Sequence, residues 1–383
     1  MRRLSALNLI LKSESSAAVL LLPVALLSLY LANSGNWLVS TLGMEYGFLD
    51  LNLSLSHWVS DGALVIFFFV AGLELRNEVR WGVLKSWKAA LVPALGALFG
   101  MATPALLYLF FANLLTGSAS AWGVPMATDL PIALAALIIF GKGLPIALRG
   151  FLLALAIMDD VGSIIVIAFR FTDSLQFTWL LGAILSLFIF YHSTRNLQLG
   201  ALSFLVALLV WYCTYKSGIH PTVSGVVLGL VMPGSHDDDP DQVSAEEALR
   251  IWTPISSFIV VPIFIFTALA VPVNFTLDNL TNPITISLLI SRLIGKPIGI
   301  LFGAWIAIRI TREKSEFAIT DYLLVGILGT LGLSVSLLFA QLSLVGADLS
   351  AATMGIVITL PVGILIAAVA LRIRARKFKL GSS

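Results

Sequence analysis

Between residues 12 and 373 the chain alternates long apolar runs with short polar breaks. The runs fall near 12–32, 58–75, 90–112, 119–140, 145–169, 178–193, 200–215, 218–233, 254–272, 284–308, 321–345 and 353–373. A helix that crosses a bilayer needs about 20 mostly apolar residues, so the pattern predicts an all-α polytopic membrane protein with about twelve spans. Spans six to eight are short and closely spaced, which leaves eleven or thirteen open on hydropathy alone. Two loops stand apart. In 33–56, Leu51, Leu53 and Leu55 alternate with Asn52, Ser54 and Ser56, a period of two that predicts a short strand or hairpin against the alternative of an irregular loop. The acidic stretch SHDDDPDQVSAEE at 235–247, within a loop spanning 234–250, reads as a solvated connection, and 374–383 as a basic tail.

Composition removes the soluble alternative. Hydrophobic residues make up 58% of the 383 positions and charged residues 11%, against about 45–50% and 25% in a soluble chain. One core cannot hide that much apolar surface; a bilayer can. A net charge of +2 favours no nucleic-acid partner. The single cysteine, Cys213, excludes a disulfide framework and a cysteine metal site. Arg2 and Arg3 precede the first apolar run without a small-residue cleavage site, so a retained first helix is expected. Loop charge then decides the count. With twelve spans and both termini inside, nineteen basic residues fall in cytoplasmic loops and two, Arg170 and Lys216, outside, with Arg292 and Lys296 left within a span. That bias is the positive-inside signature, and a helix miscounted midway would abolish it.

The candidate chemistry lies where charge meets the wrong solvent. A charge at the bilayer centre costs about 2.5–3.5 kcal/mol on insertion scales. Arg149 and Arg170 bracket the fifth span; Asp159 lies ten residues from the first and Asp160 ten from the second. At about 1.5 Å per residue both sit near the midplane. Lys296 is central in 284–308 and Asp129 in 119–140. Adjacent helical residues differ by about 100° in direction, so the two acids border one cavity from neighbouring sides. A natural division gives one carboxylate to a cation and the other to a lysine. Two carboxylates so close resist double ionisation, as a proton carrier requires. The alternative is an ion-pair network that only fixes helix packing.

The fourth span reads WGVPMATDLP over 122–131, where Pro125 and Pro131 remove backbone donors and interrupt the helix. Its counterpart in the eleventh span is GILGTLGLSVS over 326–336. Interrupted segments seven spans apart point to inverted repeats with a site between them. Helices broken at that depth leave positive N-termini and negative C-termini, which Asp129 and Lys296 respectively would offset.

At these residues the chain resembles the NhaA family of bacterial sodium/proton antiporters. The stretches that carry the resemblance are DGALVIFFFVAGLELRNE from Asp61 to Glu78, AWGVPMATDLPIAL around Asp129, LLALAIMDDVGSIIVIA around Asp159 and Asp160, YKSGIHPTVSGVVLG, and LIGKPIGI around Lys296. They run in the family's order over most of the chain. The resemblance implies the NhaA fold in a bacterial inner membrane, and exchange of Na+ or Li+ for protons with no resident cofactor. It makes Asp160 a cation ligand with Asp159 beside it, Lys296 the partner of Asp159, and Thr128 and Asp129 the contribution of the unwound fourth helix. It also implies a homodimer through a periplasmic hairpin in 33–56. Asp61, Glu74 and Glu78 match positions tied to ion access and pH response; solvated helix ends are the alternative for those three. The familiar Glu/His cluster opening the ninth helix is missing, since 249–254 reads LRIWTP. His220 remains as a titrating candidate or a structural helix-end residue. Proton-coupled export of an organic solute is the rival within transport. An intramembrane aspartyl protease is the rival within enzymology, but it needs aspartates on separate helices facing each other across a water. A passive channel would need a continuous polar stripe, which the spans lack.

Overall fold

The computed structural model describes residues 2–48, 50–115, 117–142, 144–172, 175–196, 200–233, 245–273, 276–312 and 317–381. In chain order its principal helices are α1 (Arg2–Ser34), α2 (Leu55–Trp81), α3 (Trp87–Leu114), the pair α4a (Ala119–Met126) and α4b (Leu130–Phe140), α5 (Ile146–Arg170) and α6 (Phe177–Asn196). They continue with α7 (Gly200–Lys216), α8 (Thr222–Val231), α9 (Ala245–Ala268), α10 (Pro283–Thr311), the pair α11a (Ile319–Gly329) and α11b (Ser334–Ser343), and α12 (Gly346–Gly381). Seven are long and apolar enough to cross a membrane, and the two bent pairs qualify as broken spans. Three shorter apolar helices complete a one-to-one match with the twelve runs. Large side chains such as Phe110 (61% exposed), Phe188 (63%) and Leu365 (66%) cover the outer surface. Patches of that size are not left to water, and a bilayer solvates them.

The differences from the expected boundaries have local causes. The eighth run, expected over 218–233, becomes a helix only from Thr222. Gly218 adopts a left-handed φ of 87°, and Pro221 then sits where a helix begins. The twelfth helix continues through the basic stretch to Gly381. Most of the acidic loop, residues 234–244, lies outside the described residues; Glu246 and Glu247 open α9.

The chain divides into two compact units. The first comprises 1–42, 83–163 and 265–383. Within it α10 lies along α3 at backbone distance: a methyl group at Gly299 or Gly303 would overlap the carbonyl of Phe99 or Leu95. Small residues four apart permit such approach, which in lipid replaces the hydrophobic effect as the packing force. The part of α5 in this unit is buried nearly all round, with Leu152, Ala154, Leu155, Ala156 and Ile157 at most 2% exposed. Its polar residues therefore face protein rather than lipid. Arg374 grips Asp321 through two hydrogen bonds, 2.7 and 2.9 Å, and fastens α12 to α11a.

The second unit comprises 43–82 and 164–264. Gly225 and Gly229 of α8 press on the backbone of α2 at Val65 and Phe69. Leu73, Phe190, Val206, Val210, Leu228 and Met232 form its apolar centre. The expected hairpin is present: β1 (Glu45–Phe48) pairs antiparallel with β2 (Leu51–Ser54), Phe48 opposite Leu51. Leu51 and Leu53 are buried while Asn52 is exposed, as the alternation requires. Asp50 turns the corner at φ 59°, a conformation aspartate tolerates better than most residues.

Candidate ion-binding site

The first unit brings the two helix breaks together. Residues 127–129 are extended between α4a and α4b, which meet at 46°; residues 330–333 separate α11a from α11b, which meet at 55°. The Asp129 amide donates to the Leu331 carbonyl (2.8 Å), and Thr128 Oγ1 donates to the Gly329 carbonyl (2.8 Å). Gly332 lies so close to the Ala127 carbonyl that a side chain there would collide with it. Each break thus satisfies backbone groups the other exposes, which irregular backbone at membrane depth demands. Before the break, α4a is a 3₁₀ helix of eight residues. Such runs are usually shorter; this one is anchored where Tyr108 Oη donates to the Ser118 carbonyl (2.8 Å).

The breaks leave dipole ends, and charged side chains meet them. Asp129 Oδ2 accepts from the amides of Leu333 (2.5 Å) and Ser334 (2.8 Å), and Oδ1 accepts from the Ser334 hydroxyl. The carboxylate therefore caps the positive start of α11b. At the negative end of α4a, Lys296 Nζ donates to the Met126 carbonyl and to Asp159 Oδ2 (2.7 Å). Arg292 donates to the Ala127 carbonyl (3.2 Å) and to Ser336 Oγ, with a long contact of 3.5 Å to the Val124 carbonyl. Arg292 lies within a wide, π-helical turn at Ser291–Gly295 and Lys296 directly follows it; this kind of local widening recurs at functional sites.

Asp159 and Asp160 project from the buried part of α5, 1% and 6% exposed. Asp159 Oδ2 is taken by Lys296, whereas its Oδ1 has no hydrogen-bond partner among the described residues. Thr128, Asp129, Asp159 and Lys296 are thus linked through side chains and the crossed backbone, with Asp160 the next residue along α5. Sequence reasoning left out Arg292, Ser334 and Ser336. Arg292 carried a signal, a second basic residue four before Lys296 in the same apolar run; the two serines carried none.

The remaining candidates lie in the second unit and fall into two places. Asp61 Oδ1 is 3.7 Å from His220 Nε2 and accepts from Ser60 Oγ (2.9 Å). Its main-chain carbonyl accepts from Trp211 Nε1 (2.6 Å), and His220 Nδ1 meets Thr222 Oγ1 at 2.7 Å. Glu74 and Glu78 stand thirteen and seventeen residues farther along the chain, about 20–25 Å at the helical rise. Both are partly exposed. The four are not one cluster.

The family described as Na+/H+ antiporter 1 matches residues 8–371. The chain belongs to this antiporter family. Among similar antiporters, Na(+)/H(+) antiporter NhaA 3 of Streptomyces coelicolor is 37% identical over 96% of this chain and 80% of its own. Na(+)/H(+) antiporter NhaA 2 of Clavibacter michiganensis is 37% identical, covering 96% and 92%. The Proteus mirabilis Na(+)/H(+) antiporter NhaA is 32% identical, covering 88% of each.

Proposed function

We propose that the chain exchanges Na+, and Li+, for protons by alternating access to the Asp159–Asp160 pair, exporting sodium in the service of sodium and pH homeostasis. Family membership supplies the exchange reaction. One observation carries the choice of site: a buried carboxylate pair in which one acid is held by Lys296, set beside two broken helices whose exposed ends are already matched. Asp129 is committed to the start of α11b, and Arg292 and Lys296 to the end of α4a. On α5, Asp159 keeps one oxygen, Oδ1, without a hydrogen-bond partner among the described residues, beside Asp160.

Charge accounting shows what an exchange of two protons for one cation would move. Asp129, Asp159 and Asp160 face Arg292 and Lys296, three acids against two bases, all buried. With every group ionised the cluster carries one negative charge, which one monovalent cation neutralises. Two protons on the pair leave it at plus one. Exchange of two protons for one Na+ therefore moves charge, and the cycle is electrogenic. Cation and protons compete for the same oxygens, so each displaces the other. Asp160 holds the cation; Asp159 alternates between Lys296 and the cation or a proton. Thr128 and Asp129 keep the crossed backbone in register beside them.

Around this core we place a protein that performs no covalent chemistry and holds no cofactor. It sits as a homodimer joined through the 33–56 hairpin in a bacterial inner membrane, both termini cytoplasmic, as the loop charge bias supports. Asp61 and His220 in one place, Glu74 and Glu78 in another, serve access and pH response. In everted vesicles, Na+ added to the wild type drives proton movement, and Asp160→Asn abolishes it. Proton movement persisting in that variant overturns the assignment.

A further inference from the structure

Ser163 stands one turn beyond the carboxylate pair on α5, four residues from Asp159 and three from Asp160. Both spacings place it on a helical face shared with them. It is completely buried, and its Oγ has no hydrogen-bond partner among the described residues. A hydroxyl inside a helix ordinarily donates back to the carbonyl three or four residues earlier. Ser186, Ser193, Thr214, Thr353 and Thr359 all do so. Ser163 does not. Two other buried hydroxyls, Thr253 and Ser287, share this condition, but neither has an acidic residue within four positions.

Direction adds to spacing. Helical side chains lean toward the N-terminus, so the Ser163 hydroxyl leans back over the turn that carries Asp159 and Asp160. On that turn Asp159 Oδ1 also has no hydrogen-bond partner among the described residues, while Oδ2 serves Lys296. A serine oxygen without a partner and a carboxylate oxygen without one thus share one face of a helix from which lipid is excluded.

We propose that Ser163 is a direct ligand of the transported Na+, a neutral oxygen that completes the coordination begun by Asp160 and Asp159; this rests on the ion site assigned above. A proton on a carboxylate needs no further oxygen, whereas a hard cation stripped of water needs several. A neutral donor therefore strengthens Na+ against H+ at the same carboxylates without changing the charge balance. Li+ is smaller and satisfied by fewer ligands, so it depends on this oxygen less.

The test compares wild type, Ser163→Ala, Ser163→Thr and Asp160→Asn by cation-driven proton movement in everted vesicles, with Na+ and Li+ titrated separately. Ser163→Ala should raise the apparent KM for Na+ about five- to tenfold, the loss of one neutral oxygen contact, and that for Li+ less. Its maximal rate should stay within about twofold of wild type, since only cation affinity depends on this oxygen. Ser163→Thr, which keeps the hydroxyl, should restore the wild-type KM. A purely structural serine would not change the Na+/Li+ ratio. An unchanged KM for both ions in Ser163→Ala, with Asp160→Asn inactive, overturns the ligand and leaves the site standing. Normal transport by Asp160→Asn removes the site, and the ligand with it. Should Ser163→Ala fail to accumulate, Ser163→Cys replaces it. The Na+ concentration giving half-maximal thermal stabilisation of the purified protein must then rise by a similar factor, and no rise overturns the proposal.

Discussion

Lys296 and Asp129 show how single side chains carry both stability and transport at this site. Lys296 is fully buried and shared between a carboxylate and a helix-end carbonyl. Removing one partner of a buried pair leaves an uncompensated charge, so Lys296→Met should lower stability by about 3–5 kcal/mol. Replacing both, as in Asp159→Leu with Lys296→Met, should recover most of that in thermal unfolding of the purified protein and none of the transport. Asp129→Ala should cost a few kcal/mol, because two amides and a hydroxyl at the start of α11b lose their acceptor at about 1–3 kcal/mol each. Asp129→Asn should recover part of the loss, since one acceptor oxygen remains. At this scale the sequence was readable wherever a formal charge interrupted an apolar run, as at Asp129, Asp159, Asp160 and Lys296. It was not readable at Ser163, Ser334 or Ser336. A serine in a membrane helix is ordinary until its partners, or their lack, are known.

Among the elements, the two breaks were legible from Pro125, Pro131 and the glycine-rich run at 326–332, because each weakens the helical ladder in a known way. Their crossing was not. Asp129 meets Leu331 and Thr128 meets Gly329, residues about two hundred positions apart, and no local pattern specifies such a pairing. The late start of α8 was likewise hidden, its apolar run beginning at Gly218 and the helix only at Thr222, after Pro221. Close helix packing is testable directly. Gly303→Leu drives a side chain into the Leu95 carbonyl and should cost at least about 1–3 kcal/mol in thermal unfolding. Gly150→Ala, on α5 with open space around it, should leave the unfolding midpoint almost unchanged.

For the whole molecule, loop charge argued for twelve spans more firmly than hydropathy did, because each additional helix would exchange inside for outside in everything after it. The division into two compact units left no such trace, since both draw on separated stretches of chain. Competition between cation and proton sets the behaviour of the whole cycle. Protonated carboxylates do not bind Na+, so the half-saturating Na+ concentration should rise as pH falls. The limiting slope is about tenfold per pH unit for each proton displaced. Initial rates at varied Na+ and pH read it directly, and an affinity independent of pH contradicts competition at one site. If Asp61 and His220 set the pH response, Asp61→Asn should displace the pH profile while sparing the maximal rate.

Exchange of Na+ and protons on Asp159 and Asp160 can be read by adding Na+ to the purified protein in weak buffer and counting the protons released. Release should approach two protons per chain in acidic buffer, where the pair carries its protons, and fall toward zero in Asp160→Asn under the same conditions. Absence of release on Na+ binding, or release undiminished by Asp160→Asn, would contradict this exchange.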